Sequence, residues 1–381
     1  MDKMIEECCI CGGQDFKLIF RETKKISGGT YVFNNVICMY CGLIFINPRV
    51  GIFHHADYYK HKGIFHLEGE KGRFHKINLN RIEFINKYKN RFKKHTLLDV
   101  GCSSGEFLTI ANQFGWEVEG IEVTDFYNSS LQRKGFVVYN QPLKFLPKHK
   151  RYSLIAYCAV LEHLENPIEE MQSACDHLTE DGLLFIEVPN AEFPTDYFYT
   201  PEHIFNYTIP SMDNLLAKVG MEIKEVNENT RGKYVLQVLA KKSSRKRPVS
   251  KISAQYLESL IKSSEKNSAD QNQMKEKIIC RLETIFEKNK GKSIFLYGAG
   301  QHANDLLGLH PRTLDRIEGF FDSDPKSIDK TLFGKPIYHK TNLREISPDV
   351  IIISSFAFED EIYNNLKEIY DIDKVFKLYE N

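Results

Sequence analysis

Two cysteine pairs, Cys8-x-x-Cys11 and Cys38-x-x-Cys41, are separated by 26 residues. Four thiolates at such spacing can enclose one tetrahedral zinc ion. Gly12 and Gly42 follow the pairs and permit the tight turns a metal knuckle needs. A closed four-thiolate site leaves no coordination position open, so the expected zinc is structural; the competing reading is four reduced cysteines without metal. Cys9 reads as a bystander. The start MDKMIEECC has no apolar core of signal-peptide length, so the expected location is the cytoplasm, where metal binding is preferred to a disulfide framework.

A second constellation is LLDVGCSSGEFL, Leu97 to Leu108. An apolar strand ends in Asp99, a glycine-containing turn follows, and a helix opens. With no side chain at Gly101 or Gly105, the backbone there can come close to a ligand. Glu122 closes the next apolar run, WEVEGIEV, 23 residues after Asp99. That interval fits one strand–helix–strand step, and a carboxylate so placed can accept hydrogen bonds from both hydroxyls of a ribose. Cys102 and Cys158 fall near this turn by position. A third group lies in NAEFPTDYFYTPEHIFNYT, where Glu202 and His203 are adjacent among tyrosines and phenylalanines, including Tyr199. Histidine titrates near neutrality and suits a base role, with Glu202 as its orienter. His163 in LEHL, Tyr199 and the pair Tyr58 and Tyr59 in HHADYYKHKGIFH are further candidates to line an acceptor, with packing as the competing reading.

These groups need elements to hold them. TLLDV, EVEGIEV, YSLIAYC, GLLFIEV and YVLQVLA alternate with helical patterns between residues 96 and 242, the signature of a mostly parallel α/β sheet. At Ser243 the chain turns polar, and a long charged segment at loose helical spacing follows. From Ser293 a second alternating pattern begins with SIFLYGAG. The expected organisation is a zinc-binding segment over residues 1–70, an α/β domain over 71–242, a helical linker over 243–290 and a small Rossmann-like domain over 291–381. Lysine plus arginine and aspartate plus glutamate number 51 each, which leaves no net field to draw nucleic acid or an anionic membrane. No apolar run approaches membrane-spanning length.

DVGCSSGEF resembles the first motif of class I S-adenosylmethionine-dependent methyltransferases, and GIEV resembles their ribose-binding acidic motif. YSLIAYCAVLEHLENP is similar to their fourth-strand motif and LTEDGLLFIEVPN to their fifth, with Ser153 where many relatives carry aspartate. The resemblance implies a seven-stranded Rossmann-like sheet and cofactor contacts near Asp99, Gly101, Glu122 and Cys158, with Cys102 and Gly105 in the same turn. In whole-chain order the sequence resembles the zinc-containing sugar C-methyltransferases that act on dTDP-linked keto-deoxysugars. In that family a Tyr-His-Glu-His stretch carries the proton chemistry. Here the matching stretch is Thr200-Pro201-Glu202-His203, so the Glu-His half is kept and the Tyr-His half is not. The resemblance implies methyl transfer to a small-molecule acceptor, a nucleotide-linked sugar or related glycan precursor, at oxygen or carbon. Gly298-x-Gly300-x-x-Ala303, with Asp322 closing the next run, keeps open an NAD-binding oxidoreductase or bifunctional enzyme. A non-catalytic scaffold that binds S-adenosylmethionine is the third alternative.

Overall fold

The computed structural model describes residues 3–26, 29–49, 71–194, 202–227, 234–245, 247–324, 330–356 and 358–379. Tyr58, Tyr59 and Tyr199 lie outside the described residues. Packing groups the chain into two compact units, Met1–Glu22 with Val32–Ser268, and Thr23–Tyr31 with Ala269–Asn381. Among the described residues no helix is long and apolar enough to cross a membrane.

In the first unit, apart from Thr23–Tyr31, which groups with the second, the strands β1 (Phe16–Ile26), β2 (Gly29–Cys38) and β3 (Ile44–Ile46) lead to helix α1 (Lys71–Asn86). A repeating α/β pattern follows: β4 (Thr96–Val100), α2 (Glu106–Gln113), β5 (Glu117–Ile121), α3 (Asn128–Arg133), β6 (Val137–Tyr139), β7 (Tyr152–Cys158), α4 (Pro167–His177) and β8 (Leu178–Pro189). The series closes with β9 (Phe205–Asn206), α5 (Ile209–Lys218), β10 (Met221–Asn227), β11 (Val235–Lys242) and α6 (Ala254–Lys288), whose residues from Ala269 on group with the second unit. Seven of these strands form one sheet in the order β10-β11-β8-β7-β4-β5-β6. Its neighbours are parallel except at β11, which runs antiparallel to both β8 and β10. Leu97, Leu98, Leu154, Ile155, Leu184 and Phe185 are all buried, because a sheet covered on both faces needs continuous rather than alternating apolar strands. The order reverses between β4 and β7, and the crevice at the carboxyl ends of those two strands is where open α/β sheets bind ligands.

The cysteine-bearing lobe packs onto this sheet. Cys8, Ile10, Cys38, Cys41, Leu43 and Phe45 share one buried cluster with Leu98, Val100, Ile186 and Val188. Its own sheet runs β1-β2-β3-β9, so the fourth strand comes from the segment that follows Glu202-His203. Ile44 pairs with Asn206 and Phe45 with Phe205 in antiparallel register. Thr208 and Ser211 then form a reciprocal capping box that starts α5, which fixes the far end of the same segment.

The second unit is a smaller sheet of β12 (Ile294–Tyr297), β13 (Gly319–Asp322), β14 (Thr331–Leu332), β15 (Lys335–His339), β16 (Val350–Ile353) and β17 (Val375–Lys377), in the order β14-β15-β13-β12-β16-β17. All of its pairings are parallel except β14 with β15. Its strand order also reverses beside the first strand, between β12 and β16. The charged segment after residue 253 is a single continuous helix, α6, of 35 residues.

Candidate functional site

The turn after β4 is tightly constrained. Gly101 has φ +75°, and a Cβ there would meet Val160 Cγ2 at 2.6 Å. The Gly101 and Cys102 amides donate to Ile121 O at 2.8 and 3.0 Å, which ties the turn to the end of β5. Asp99, Gly101, Cys102 and Cys158 line one cavity of about 440 Å³, together with Asn78 and Arg81 of α1 and Glu187 of β8. Asp99 is 2% exposed and its Oδ1 has no partner among the described residues. Burial pushes its carboxyl up to about 7, against the nearby Arg81 guanidinium, which pulls it down, and Glu122, which adds to the rise. A buried carboxylate with an unmet acceptor is a receptor for a cation or donor group. Burial also pushes the Cys102 and Cys158 thiols up, so both are neutral wall atoms.

Glu122 sits one strand away. Its Oε2 accepts from the Ser103 amide at 2.9 Å, and its Oε1 accepts from the Thr124 amide and hydroxyl at 2.9 and 2.7 Å. Gly105 does not line the cavity. It starts α2 with φ +76°, where a Cβ would meet Leu131 Cδ2 at 2.7 Å, so its role is close helix packing.

An ionic network in the cavity wall was not singled out from sequence. Arg81 donates to Asn78 Oδ1 at 2.6 Å and makes a short ion pair with Glu187. Glu187 Oε2 also accepts from Gln237 Nε2 at 2.5 Å. The signal was present: Glu187 is a charge inside the apolar strand GLLFIEV, and a charge in such a place is there for a partner.

On the acceptor side the structure brings His163, Glu202 and His203 together. His163 Nδ1 donates to the Glu202 carbonyl oxygen at 2.9 Å, and the two imidazoles meet edge-to-face with centroids 5.0 Å apart. Glu202 thus meets His163 through its backbone carbonyl. Glu162, overlooked beside His163, is 1% exposed, and burial pushes its carboxyl up to about 8. Arg49, from the cysteine lobe, lies over the Phe205 ring at 5.0 Å. Both residues line a second cavity of about 670 Å³, against the first turn of α4.

The four-cysteine cluster fits a metal. All four Sγ atoms lie within 4.8 Å of one another, with Cys8–Cys41 at 3.5 Å and Cys11–Cys38 at 3.4 Å. Thiolates sharing one zinc at about 2.3 Å stand roughly 3.8 Å apart. The two knuckles repeat each other: the Gly12 amide donates to Cys8 O at 2.8 Å and the Gly42 amide to Cys38 O at 2.9 Å, with φ near +74° and +72°. Cys9 is exposed and stands outside the cluster. A metal here would fix the start of β3 and, through its pairing with β9, the segment carrying His203.

The sheet order and the glycine turn define the class I S-adenosylmethionine-dependent methyltransferase fold. Residues 71–226 match the family model of a methyltransferase domain, and residues 236–378 match that of a C-methyltransferase C-terminal domain. The chain thus carries a methyltransferase domain followed by a C-methyltransferase C-terminal domain. It is similar to ubiquinone biosynthesis O-methyltransferases: 27% identical over 131 residues to that of Histophilus somni, covering 31% of this chain and 55% of the relative. The protein of Rickettsia canadensis is 25% identical over 183 residues, covering 42% and 78%. The chain spans about half the length of most of the curated relatives it matches. Among solved structures, the 1,6-didemethyltoxoflavin-N1-methyltransferase of Burkholderia thailandensis is 13% identical with a TM-score of 0.42, covering 58% of this chain and 100% of that one.

Proposed function

We propose that the protein transfers the methyl group of S-adenosylmethionine to a nucleotide-linked sugar or a related glycan precursor, at oxygen or carbon. The observation that carries the reading is the β4–β5 site, where a buried Asp99 with an unpartnered Oδ1 and the left-handed Gly101 turn line a cavity, and Glu122 holds that turn through the Ser103 amide. When bound, S-adenosylmethionine supplies a methyl carbon already activated by positive sulfur. Asp99 suits its ammonium group and Glu122 its ribose hydroxyls. The acceptor must be aligned and lose a proton. His203 is the proposed base, with Glu202 shaping its surroundings through the carbonyl that holds His163.

Support for a nucleotide-linked acceptor comes from the larger cavity. Arg49 offers a guanidinium to a phosphate and Phe205 an aromatic face, while Glu7, Glu165 and Glu169 on the same wall suit sugar hydroxyls. The C-terminal domain type supports carbon as the atom methylated. The test is incubation with methyl-labelled S-adenosylmethionine and dTDP-, UDP-, GDP- and CDP-sugars. Label should enter one nucleotide class. Cofactor binding without label in any of them would favour a scaffold.

A second reading has one observation behind it. In the second unit Asp322 Oδ2 accepts from the Ala299 amide at 2.8 Å, which closes a Gly298-x-Gly300 turn of dinucleotide type. Protection of the fold by NAD(H) would favour it.

A further inference from the structure

The stretch that carries Glu202 and His203 runs into β9, a strand of two residues paired to β3. So short a pairing does not fix a position by itself. The stretch is tied instead to the exit of β8 and to α6. Asn190 bridges Tyr207, and the Ala191 amide donates to Tyr207 O at 2.9 Å. Glu192 Oε1 then accepts from the Ile209 amide at 3.3 Å and from the Tyr256 hydroxyl at 2.6 Å. We propose that Tyr256 and Glu192 are a positioning pair, which locks the chain on both sides of His203 together and so holds its imidazole against His163. This rests on the reading of His203 as the base of methyl transfer.

One carboxylate oxygen serves both sides. Ile209 opens α5, so its amide is one of the donors that a helix start leaves without a partner in the helix. Tyr256 lies in the first turn of α6. Burial first, and then the Glu192 bond, push its phenol well above the usual range, against Thr208, which lowers it. The hydroxyl therefore stays a donor. The same side of α6 continues the grip. Ser263 Oγ donates to Glu192 O at 3.4 Å and Asn267 Nδ2 to Pro194 O at 3.2 Å. Tyr256, Ser263 and Asn267 recur at helical spacing on one side of the helix. Leu257, Leu260 and Ile261 pack with Ala191 in one buried cluster, and the helix turns polar where the carbonyls of the β8 exit need donors.

Neither Tyr256 nor Glu192 lines the cavity at Asp99 or the one at Arg49. Their effect on the reaction passes through the stretch they hold. The His163 and His203 rings meet with centroids 5.0 Å apart, and displacing a reacting group by about 1 Å can cost about 100-fold in rate.

The test uses full-length, zinc-loaded protein with ring-labelled histidine, as parent, Tyr256→Phe, Glu192→Ala and Glu192→Gln. Glu192→Gln keeps an acceptor oxygen in the same place. Zinc content and the Kd for S-adenosylhomocysteine should hold throughout. Tyr256→Phe and Glu192→Ala should lose the nuclear Overhauser contact between the His163 and His203 rings, and Glu192→Gln should keep it. With the dTDP-, UDP-, GDP- or CDP-sugar that the parent labels, kcat should fall at least about tenfold in the first two. KM for S-adenosylmethionine should not change, and Glu192→Gln should recover the rate. Tyr256→Phe removes a single oxygen and decides alone if Glu192→Ala does not fold. A ring contact that survives Tyr256→Phe, or that Glu192→Gln fails to keep, would overturn the proposal. A parent that binds S-adenosylhomocysteine yet labels none of these sugars removes the base reading of His203. The ring contact alone then decides whether the pair positions the stretch.

Discussion

Glu122 accepts a hydrogen bond from the Ser103 amide at 2.9 Å, and this contact joins the end of the second strand to the first glycine turn. The second unit repeats the device: Asp322 accepts from the Ala299 amide at 2.8 Å and from Asp324, two residues on, at 2.9 Å. Glu122 likewise accepts from Thr124. The carboxylate shapes the turn before any ligand arrives. Glu122→Ala should therefore raise the Kd for S-adenosylhomocysteine by about 10- to 100-fold, as expected for a lost charge-assisted hydrogen bond of about 1.5–3 kcal/mol. Calorimetry on the folded variant checks it; an unchanged Kd would remove Glu122 from the cofactor site.

The Asp99 carboxyl is raised by burial to about 7, so its charge appears only above that pH. A cationic ammonium partner then binds more tightly as pH rises through about 7, and affinity should fall by up to about tenfold per unit below it. Stability of the ligand-free chain follows the opposite sign. The folded pKa exceeds the unfolded value of about 3.9, so Asp99's contribution is fully present below that pH and is lost as pH rises through about 7. Asp99→Asn should flatten both dependences, read by calorimetry and by urea unfolding across the range.

Arg81 is the counter-ion of Glu187, whose side chain is 3% exposed. Arg81→Met strands that carboxylate and should cost about 3–5 kcal/mol in urea unfolding. Arg81→Met combined with Glu187→Met should recover most of the loss, because the stranded Glu187 charge is gone and Asp99, already raised by burial, stays protonated without Arg81. If the single variant costs under about 1 kcal/mol, the pair is not the buried ion pair described.

Cys38→Ser removes one of four thiolates that converge within 4.8 Å. Elemental analysis should find one zinc per chain in the parent and none in the variant. Because β3 pairs with β9, the loss should also expose the backbone around Phe205 to hydrogen exchange. Full exchange protection in a zinc-free variant would show that the metal does not hold this segment.

The elements that followed from the sequence were those with one dominant local cause. Unbroken apolar runs such as TLLDV and YSLIAYC marked buried strands, and the cysteine spacing marked the thiolate cluster. What escaped depended on contacts between distant segments. Nothing local tells that Arg81 reaches Glu187, 106 residues away, or that Phe205 adds a strand to the cysteine lobe. Glu162 was missed for another reason: a glutamate beside a histidine looks solvated until its burial is known. The acceptor candidates Tyr58, Tyr59 and Tyr199 lie outside the described residues, so His163, Glu202 and His203 carry that part of the account.

The central claim is that the β4–β5 turn holds S-adenosylmethionine. The most direct test is calorimetric titration of the purified chain with S-adenosylhomocysteine, beside NADH as the control. The account predicts one site per chain for S-adenosylhomocysteine that Glu122→Ala weakens, together with a raised melting temperature. No heat and no thermal shift with S-adenosylhomocysteine, alongside saturable NADH binding, would contradict it and move the centre of function to the C-terminal unit.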